Sequence, residues 1–321
     1  MSIDTSLLKE FEEGLNPARP EESSIPAKVL GYGEMSTVFE IQHEGQSEFA
    51  FKRMPLFDNA EQVERYTDVY NRYHQRFEQI GIDIPDYGAV SVQTDKGRIV
   101  LYLYQSKLQS ESIGNNLIHR VSDQGILNLV QSVLRQLNKV WKFNHEHSPD
   151  VEVAIDGQIS NWALKNYSED MTELETGAEL FYFDTSTPLF REDGVEQLDV
   201  ELFLKPTPPL IRWYLKKYYL HEIVDRYYDF RKVAIDLAAN FYKEQRGEFV
   251  PKVLDEINTF FSTEATDFDI KPITVEEVEE YYKDDASTWK LYLRVRKAHR
   301  FIKTKILRGY YAYILPEEIV R

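Results

Sequence analysis

The stretch Gly31-Tyr32-Gly33-Glu34-Met35-Ser36-Thr37-Val38, followed shortly by Phe49-Ala50-Phe51-Lys52, decides how this chain is read. Two glycines one residue apart let a backbone turn close on a phosphate, and Ser36 and Thr37 place small side chains beside it. The flanking segments, Ala27–Leu30 and Thr37–Gln42, are strand-like. The glycines therefore join two strands, whereas a dinucleotide fingerprint opens a helix. A plain glycine hairpin has the same sequence. Lys52 lies on a third alternating strand, Glu48–Arg53, where Phe49 and Phe51 share one face and Ala50 and Lys52 the other. A small residue two positions before a lysine leaves room for a flat ring, with the ammonium beyond it. A solvated lysine on an edge strand would show the same pattern.

Outward from this stretch, His43-Glu44-Gly45-Gln46 reads as a hairpin tip, and Ala89–Gln93 and Arg98–Gln105 flank an Asp95-Lys96-Gly97 turn. Between the third and fourth strands, Val63, Tyr66, Tyr70, Tyr73, Phe77 and Ile80 recur at alternating spacings of three and four, predicting a helix over Asp58–Ile80 stopped by Gly81. Glu61, Glu64 and Asp68 fall opposite that apolar stripe, Gln62 lies near it and Glu78 between faces, so no acid is placed to meet Lys52. A short helix is expected over Ser6–Glu13.

Beyond Gln105 the character changes. Gln124–Phe143 is helical with Leu127, Val130, Leu134, Leu137 and Trp141 on one face, and Asp123 is a candidate cap. His145–Asp150 reads as a loop. Val151–Ile155, Trp162–Leu164 and Glu179–Phe183 are short strands, the last two joined by the polar segment Asn166–Gly177 as an extended hairpin. After Lys205-Pro206-Thr207-Pro208-Pro209 come helices: one holding Trp213, Tyr214 and Leu220, then Leu220–Gln245, Phe249–Phe261, Val275–Tyr282 and Thr288–Leu307. The fold class is α+β: a five-stranded antiparallel sheet with one helix over residues 1–105, and a mostly helical part carrying a small β-hairpin over 106–321.

The second part carries the polar residues that matter. Asp156 and Asn161 stand five apart in a loop between two short apolar strands. A carboxylate there can accept a hydroxyl proton and an amide oxygen can ligate a metal. Asp and Asn also stabilise ordinary turns through their side chains. Ala163 is small enough to floor a flat apolar slot. Asp184 ends the strand Leu180–Phe183 and stands beside a loop, where it suits Mg²⁺ or caps a turn.

Composition limits the classes. The chain has 321 residues, 42% of them hydrophobic, enough for a sizeable core. It has no cysteine, which excludes thiol catalysis and cysteine-held zinc and agrees with a cytoplasmic location. The net charge of −16 argues against a nucleic-acid partner and asks any nucleotide site to supply local cations. No apolar run approaches the ~20 residues that span a bilayer, so no membrane partner is expected. Asn144-His145-Glu146-His147 has metal-ligating residue types, although a solvated loop accounts for it as well. Lys290–Arg308 holds eight Lys/Arg and no acid. That run either pairs with the acidic body or recognises a phosphorylated or acidic partner.

The ordered set of glycine loop, lysine, Asp-x₄-Asn and strand-terminal Asp resembles the protein-kinase-like superfamily over about residues 27–190. It stands nearest the aminoglycoside and small-molecule phosphotransferase branch. The resemblance implies a bilobal fold, ATP and Mg²⁺ as cofactors, and transfer of the γ-phosphoryl group to a small-molecule hydroxyl. In those terms Gly31, Gly33, Ser36 and Lys52 hold the phosphates, Asp156 is catalytic, and Asn161 and Asp184 bind metal. Leu30, Val38, Ala50 and Ala163 line the adenine slot, and Leu103–Gln105 form the hinge that reads the adenine edge. The acidic surface suits a cationic acceptor. There are departures: Ala154 stands where the family has His or Tyr, Thr185-Ser186 follow Asp184, and no Ala-Pro-Glu-like segment is present. These leave a second reading open, a degenerate kinase-like scaffold that does not transfer phosphate.

Overall fold

Strand register decides which side chains meet the crevice. In the computed structural model, which describes residues 3–33, 36–208, 212–213 and 220–317, five strands form an antiparallel sheet. They are β1 (Ala27–Tyr32), β2 (Thr37–Ile41), β3 (Phe49–Met54), β4 (Tyr87–Gln93) and β5 (Ile99–Ser106), in the order β1-β2-β3-β5-β4. Directly opposed residues of an antiparallel pair project from the same face. Val38 opposes Lys52, Lys52 opposes Leu103, Ala50 opposes Gln105 and Ala89 opposes Leu103. All of these therefore share one face. Phe39, Phe51 and Tyr102 lie on the other, fully buried.

That second face is covered by α1 (Thr5–Gly14), whose N-cap Asp4 accepts from the backbone of Ser6 and Leu7. Leu8 and Phe11 of α1, together with Ile314 near the C-terminus, pack onto it. The helix also buries Glu12 completely. Glu12 receives Arg53 Nε and Nη2, each at 2.7 Å, and the Tyr102 hydroxyl at 2.5 Å.

The first face meets α2 (Ala60–Ile80), capped by Asn59 and stopped by Gly81 at φ 79°, a left-handed conformation glycine adopts freely. Its predicted stripe is buried from Val63 through Phe77, with Ile80 half-buried. The stripe belongs to a core that continues through Leu101 and Leu103 into the helical part. That part comprises α3 (Gly114–Leu117), α4 (Asp123–His147), α5 (Leu220–Asp225), α6 (Phe230–Lys243), α7 (Val250–Thr263) and α8 (Val275–Phe301), the last ending in a π turn over Ile302–Ile306. Two small sheets complete it: β7 (Trp162–Leu164) pairs with β8 (Leu180–Tyr182), and β6 (Val151–Val153) pairs with a hairpin of β9 (Phe190–Glu192) and β10 (Val195–Glu196). The architecture is α+β, with the sheet in the N-terminal part and helices in the C-terminal part.

Several boundaries differ from the sequence reading. α4 is capped by Ser122, not Asp123, and runs on to His147. The expected loop at His145 is helix because Asn144 locks the last turn to β6, donating to Val153 O at 2.8 Å and accepting Val153 N–H at 2.7 Å. The span Leu220–Gln245 is broken at Asp229, whose side chain caps α6 by accepting Lys232 N–H. Val275–Tyr282 and Thr288–Leu307 are one helix through Phe301, since Ala286 lets the buried face continue between them. The hairpin β9–β10 was not expected. The helix around Trp213, Tyr214 and Leu220 falls largely outside the described residues, as do Glu34 and Met35 of the glycine loop.

Candidate functional site

Four segments converge where the first face of the sheet meets the helical part. Lys52 Nζ donates to Asp184 Oδ1 at 2.7 Å, an ion pair between residues 132 apart in sequence. Ser186 Oγ donates to the same carboxylate oxygen at 3.2 Å. Burial alone would raise the Asp184 pKa. The Lys52 charge and the hydrogen bonds from Lys52 and Ser186 outweigh it and hold the carboxyl below its ordinary value. The chain places Asp184 there because Tyr182 N–H and Phe183 N–H donate to Asp83 O and Asn161 O, at 2.8 and 3.1 Å, fixing the exit of β8.

Asp156 follows β6 in a loop closed by a 3₁₀ turn at Ile159–Asn161. Its Oδ1 accepts Gln158 N–H at 3.1 Å, and its backbone carbonyl accepts Asn161 Nδ2 at 3.4 Å. Burial, then the neighbouring charges of Asp236 and Asp184, push its pKa up to about 7. A carboxyl poised there suits proton transfer near neutrality. Asn161 spends its amide nitrogen on the Asp156 carbonyl, which leaves the amide oxygen for another partner. Asn161 Oδ1 and the second Asp184 oxygen are hard oxygen donors of the kind Mg²⁺ takes. Among the described residues no group of three or more His, Asp or Glu could hold a metal. Two protein oxygens with phosphate and water oxygens would suffice for Mg²⁺. The residues at Asn144–His147 belong to the end of α4 and form no metal cluster.

Gly33 lies beside Ser36 and the lysine. Gly33 N–H donates to Ser36 O at 3.0 Å, and a Cβ built on Gly33 would lie 3.3 Å from Ser36 Oγ and 3.9 Å from Lys52 Cε. A Cβ on Gly31 would meet nothing within 4 Å, so the space beside it is open. Leu30 sits at a register slip in β1 and is 43% exposed. Val38 and Ala50 line the sheet face half-buried, whereas Ala163 is buried on β7 and bridged to Ile113.

The hinge expectation needs correcting. Leu103 and Gln105 lie inside β5, which pairs with β3 on one edge and β4 on the other. Their backbone groups are committed to those ladders and cannot read an adenine edge. Ser106 and Lys107 N–H groups are committed as well, to Asp86 O and Glu48 O. The side chains still belong to the crevice: Gln105 Nε2 reaches Thr185 Oγ1 at 3.3 Å.

Sequence reading missed a buried polar group behind Asp156. Asp236 on α6 accepts Gln158 Nε2 at 3.0 Å, the Tyr281 hydroxyl at 3.0 Å and Lys243 Nζ at 3.3 Å. Its signal was an acid on the buried stripe between Val233 and Leu237, where an acid survives only with partners. The helix acid sought for Lys52 does not exist on α2. That helix instead presents tyrosines: Tyr66 OH donates to Ser186 O and Tyr73 OH to Ala154 O, each at 2.7 Å.

A family model described as a family of unknown function, DUF6206, matches residues 13–300. The chain belongs to the DUF6206 family. No curated protein matches it in sequence. Among solved structures, one titled WaaP in complex with acyl carrier protein overlaps this DUF6206 chain at a TM-score of 0.31 and 15% identity, covering 79% of this chain and 99% of the other. An overlap that loose bears no argument, and the order of strands, helix and polar residues in this DUF6206 chain stands without it.

Proposed function

We propose that this DUF6206 chain is an ATP-dependent phosphotransferase that moves the γ-phosphoryl group to a hydroxyl of a small molecule. The observation that carries the reading is the Lys52–Asp184 ion pair, which joins the sheet to the loop after β8 beside Asp156 and Asn161. Lys52 and the backbone at Gly33 fix the nucleotide tail. Leu30, Gly31, Val38 and Ala50 line the slot for its ring, floored by Ala163. Asn161 and Asp184 would hold Mg²⁺, which when bound neutralises charge on the phosphates. Asp156 takes the proton of the acceptor hydroxyl as its oxygen bonds to phosphorus and the ADP oxygen leaves. Residues 1–105 cover the nucleotide and residues 106–321 build the acceptor site, whose acidic surroundings suit a cationic group. Lys52 exchanges Asp184 for phosphate oxygens when nucleotide enters.

The test is a turnover assay with paired substitutions. Asp156→Ala abolishes turnover and spares thermal stabilisation by Mg·ATP, while Asp184→Ala weakens the Mg²⁺-dependent part of that stabilisation. ATP turnover left unchanged by both substitutions overturns the mechanism. One observation favours a second reading, a kinase-like scaffold without phosphotransfer: the acid paired with Lys52 is Asp184 and not a residue of α2, whose Tyr66 and Tyr73 hydroxyls go to Ser186 O and Ala154 O. Absence of any melting shift at millimolar Mg·ATP would support that reading.

A further inference from the structure

The eight Lys/Arg between Lys290 and Arg308 stand out in a chain of net charge −16. Pairing with the acidic body would make them an ordinary solvated helix face. Five of them are not so paired: among the described residues, Lys290, Arg294, Lys303, Lys305 and Arg308 make no ion pair with a carboxylate. Arg296 is the buried exception, packed against the Tyr292 and Tyr313 rings.

The second observation is what lies between the cations. Leu291, Phe301 and Ile302 on the outer side of α8 are 63%, 59% and 46% exposed, and Ile306 and Leu307 of the following turn are 63% and 70% exposed. On the α-helix, positions 290, 291, 294, 298 and 301 fall on one side, and the exposed Ile302, Lys305, Ile306 and Leu307 follow at its end, so cations and large apolar groups are interleaved along one exposed stretch. Leu293 and Arg296 mark the buried side. Burying exposed aliphatic groups is favourable only against an apolar phase, and a row of unpaired cations asks for anions around it.

We propose that the C-terminal half of α8 and the turn through Arg308 form a docking surface for an anionic phospholipid membrane, lying in the headgroup plane. The lysines and arginines meet lipid phosphates and carboxylates, while Phe301, Ile302, Ile306 and Leu307 enter the acyl boundary. Nucleic acid would engage the cations but leave those aliphatic side chains without a partner. No helix among the described residues is long and apolar enough to cross a membrane. The absence of a spanning run, which set the expectation of no membrane partner, does not bear on a helix that lies on the surface. The inference is independent of the phosphotransfer reading.

The experiment is vesicle flotation of the full chain with phosphatidylcholine alone and with phosphatidylserine added. The chain floats with the anionic vesicles and not with the neutral ones, and added salt weakens binding. Lys303→Glu/Lys305→Glu/Arg308→Glu lowers partitioning on the order of a hundredfold. Ile306→Ser/Leu307→Ser lowers it as well, including at high salt, with unchanged circular dichroism because these side chains are exposed. Equal flotation with both vesicle types, or flotation indifferent to both variants, overturns the proposal. So does a concentration-dependent dimer abolished by Ile306→Ser/Leu307→Ser without vesicle binding, which would assign the face to a second copy. Binding to an acidic polypeptide that ignores the serine variant and exceeds vesicle binding would overturn it in favour of an acidic protein.

Discussion

At the scale of single residues, Asp156 is the group whose environment is most at odds with its charge. Its pKa lies near 7 in the folded chain against 3.8 for an ordinary aspartate, from burial and then the charges of Asp236 and Asp184. The sign of the linkage follows. Below pH 3.8 the carboxyl is mostly protonated in both states and costs little. As pH rises toward 7 the unfolded chain ionises first, and the fold loses stability until Asp156 ionises too. Asp156→Asn is therefore expected to raise stability at pH 8 by about 1–2 kcal/mol while leaving it unchanged near pH 3.5. Paired melting curves at the two pH values check this, and equal effects at both would contradict it. For the proposed phosphotransferase the same shift predicts an acidic limb in kcat/KM near pH 7, because a base at Asp156 would accept a proton only when ionised. Lys52 shows what could be read at this scale and what could not. Its strand position and its small neighbour Ala50 were visible in the alternation of Phe49-Ala50-Phe51-Lys52. Its partner was not, because an acid 132 residues away leaves no local signal.

At the scale of elements, legibility followed period and length. The 21-residue α2 announced itself through a stripe at spacings of three and four and a glycine stop. The hairpin β9–β10 did not: its strands have three and two residues and hold Arg191, Glu192 and Glu196, so neither alternation nor apolar content marks them. The element least legible in its importance is α1. Its apolar residues predicted a helix, but nothing predicted that Glu12 would be fully buried against an Arg53 that is 2% exposed. That pair fastens α1 to β3, on the reverse of the strand that carries Lys52. Burial of an ion pair costs desolvation, and loss of one partner leaves the other charge uncompensated. Glu12→Leu alone is expected to destabilise by about 3–5 kcal/mol. Arg53→Met added to it removes the orphaned guanidinium and recovers a large part of that loss. Urea titration of wild type, single and double variants measures the coupling, and a double variant no better than the single would reject this account of the pair.

At the scale of the whole molecule, the division at residue 105 visible in composition is crossed by packing in both directions. The α2 stripe belongs to the sheet half by sequence, yet it is buried in the same core as α4 and α6, and its tyrosines hold the carbonyls of Ala154 and Ser186. The C-terminal segment runs the other way: Ile314 packs beneath the sheet, its carbonyl accepts Thr37 Oγ1 at 3.4 Å, and Ala312 O accepts Arg53 Nη1 at 2.5 Å. The sequence could not show this return because contact between chain ends is set by topology, not by local pattern. The energetic consequence is direct. Removing residues 106–321 would strip Tyr73 of Phe190 and Phe77 of Tyr182, and burial of each such side chain is worth roughly 1.5–3 kcal/mol. Their sum, roughly 3–6 kcal/mol, is a large part of the roughly 5–15 kcal/mol stability of an ordinary domain. A fragment of residues 1–105 is therefore expected to lack a cooperative melt by circular dichroism, although its strands and helix are strongly patterned. The full chain is expected to melt in one transition, with calorimetric and van't Hoff enthalpies in agreement. A sigmoidal melt from the fragment, or two resolved transitions in the full chain, would mean that the crevice separates two independently folding bodies rather than dividing one.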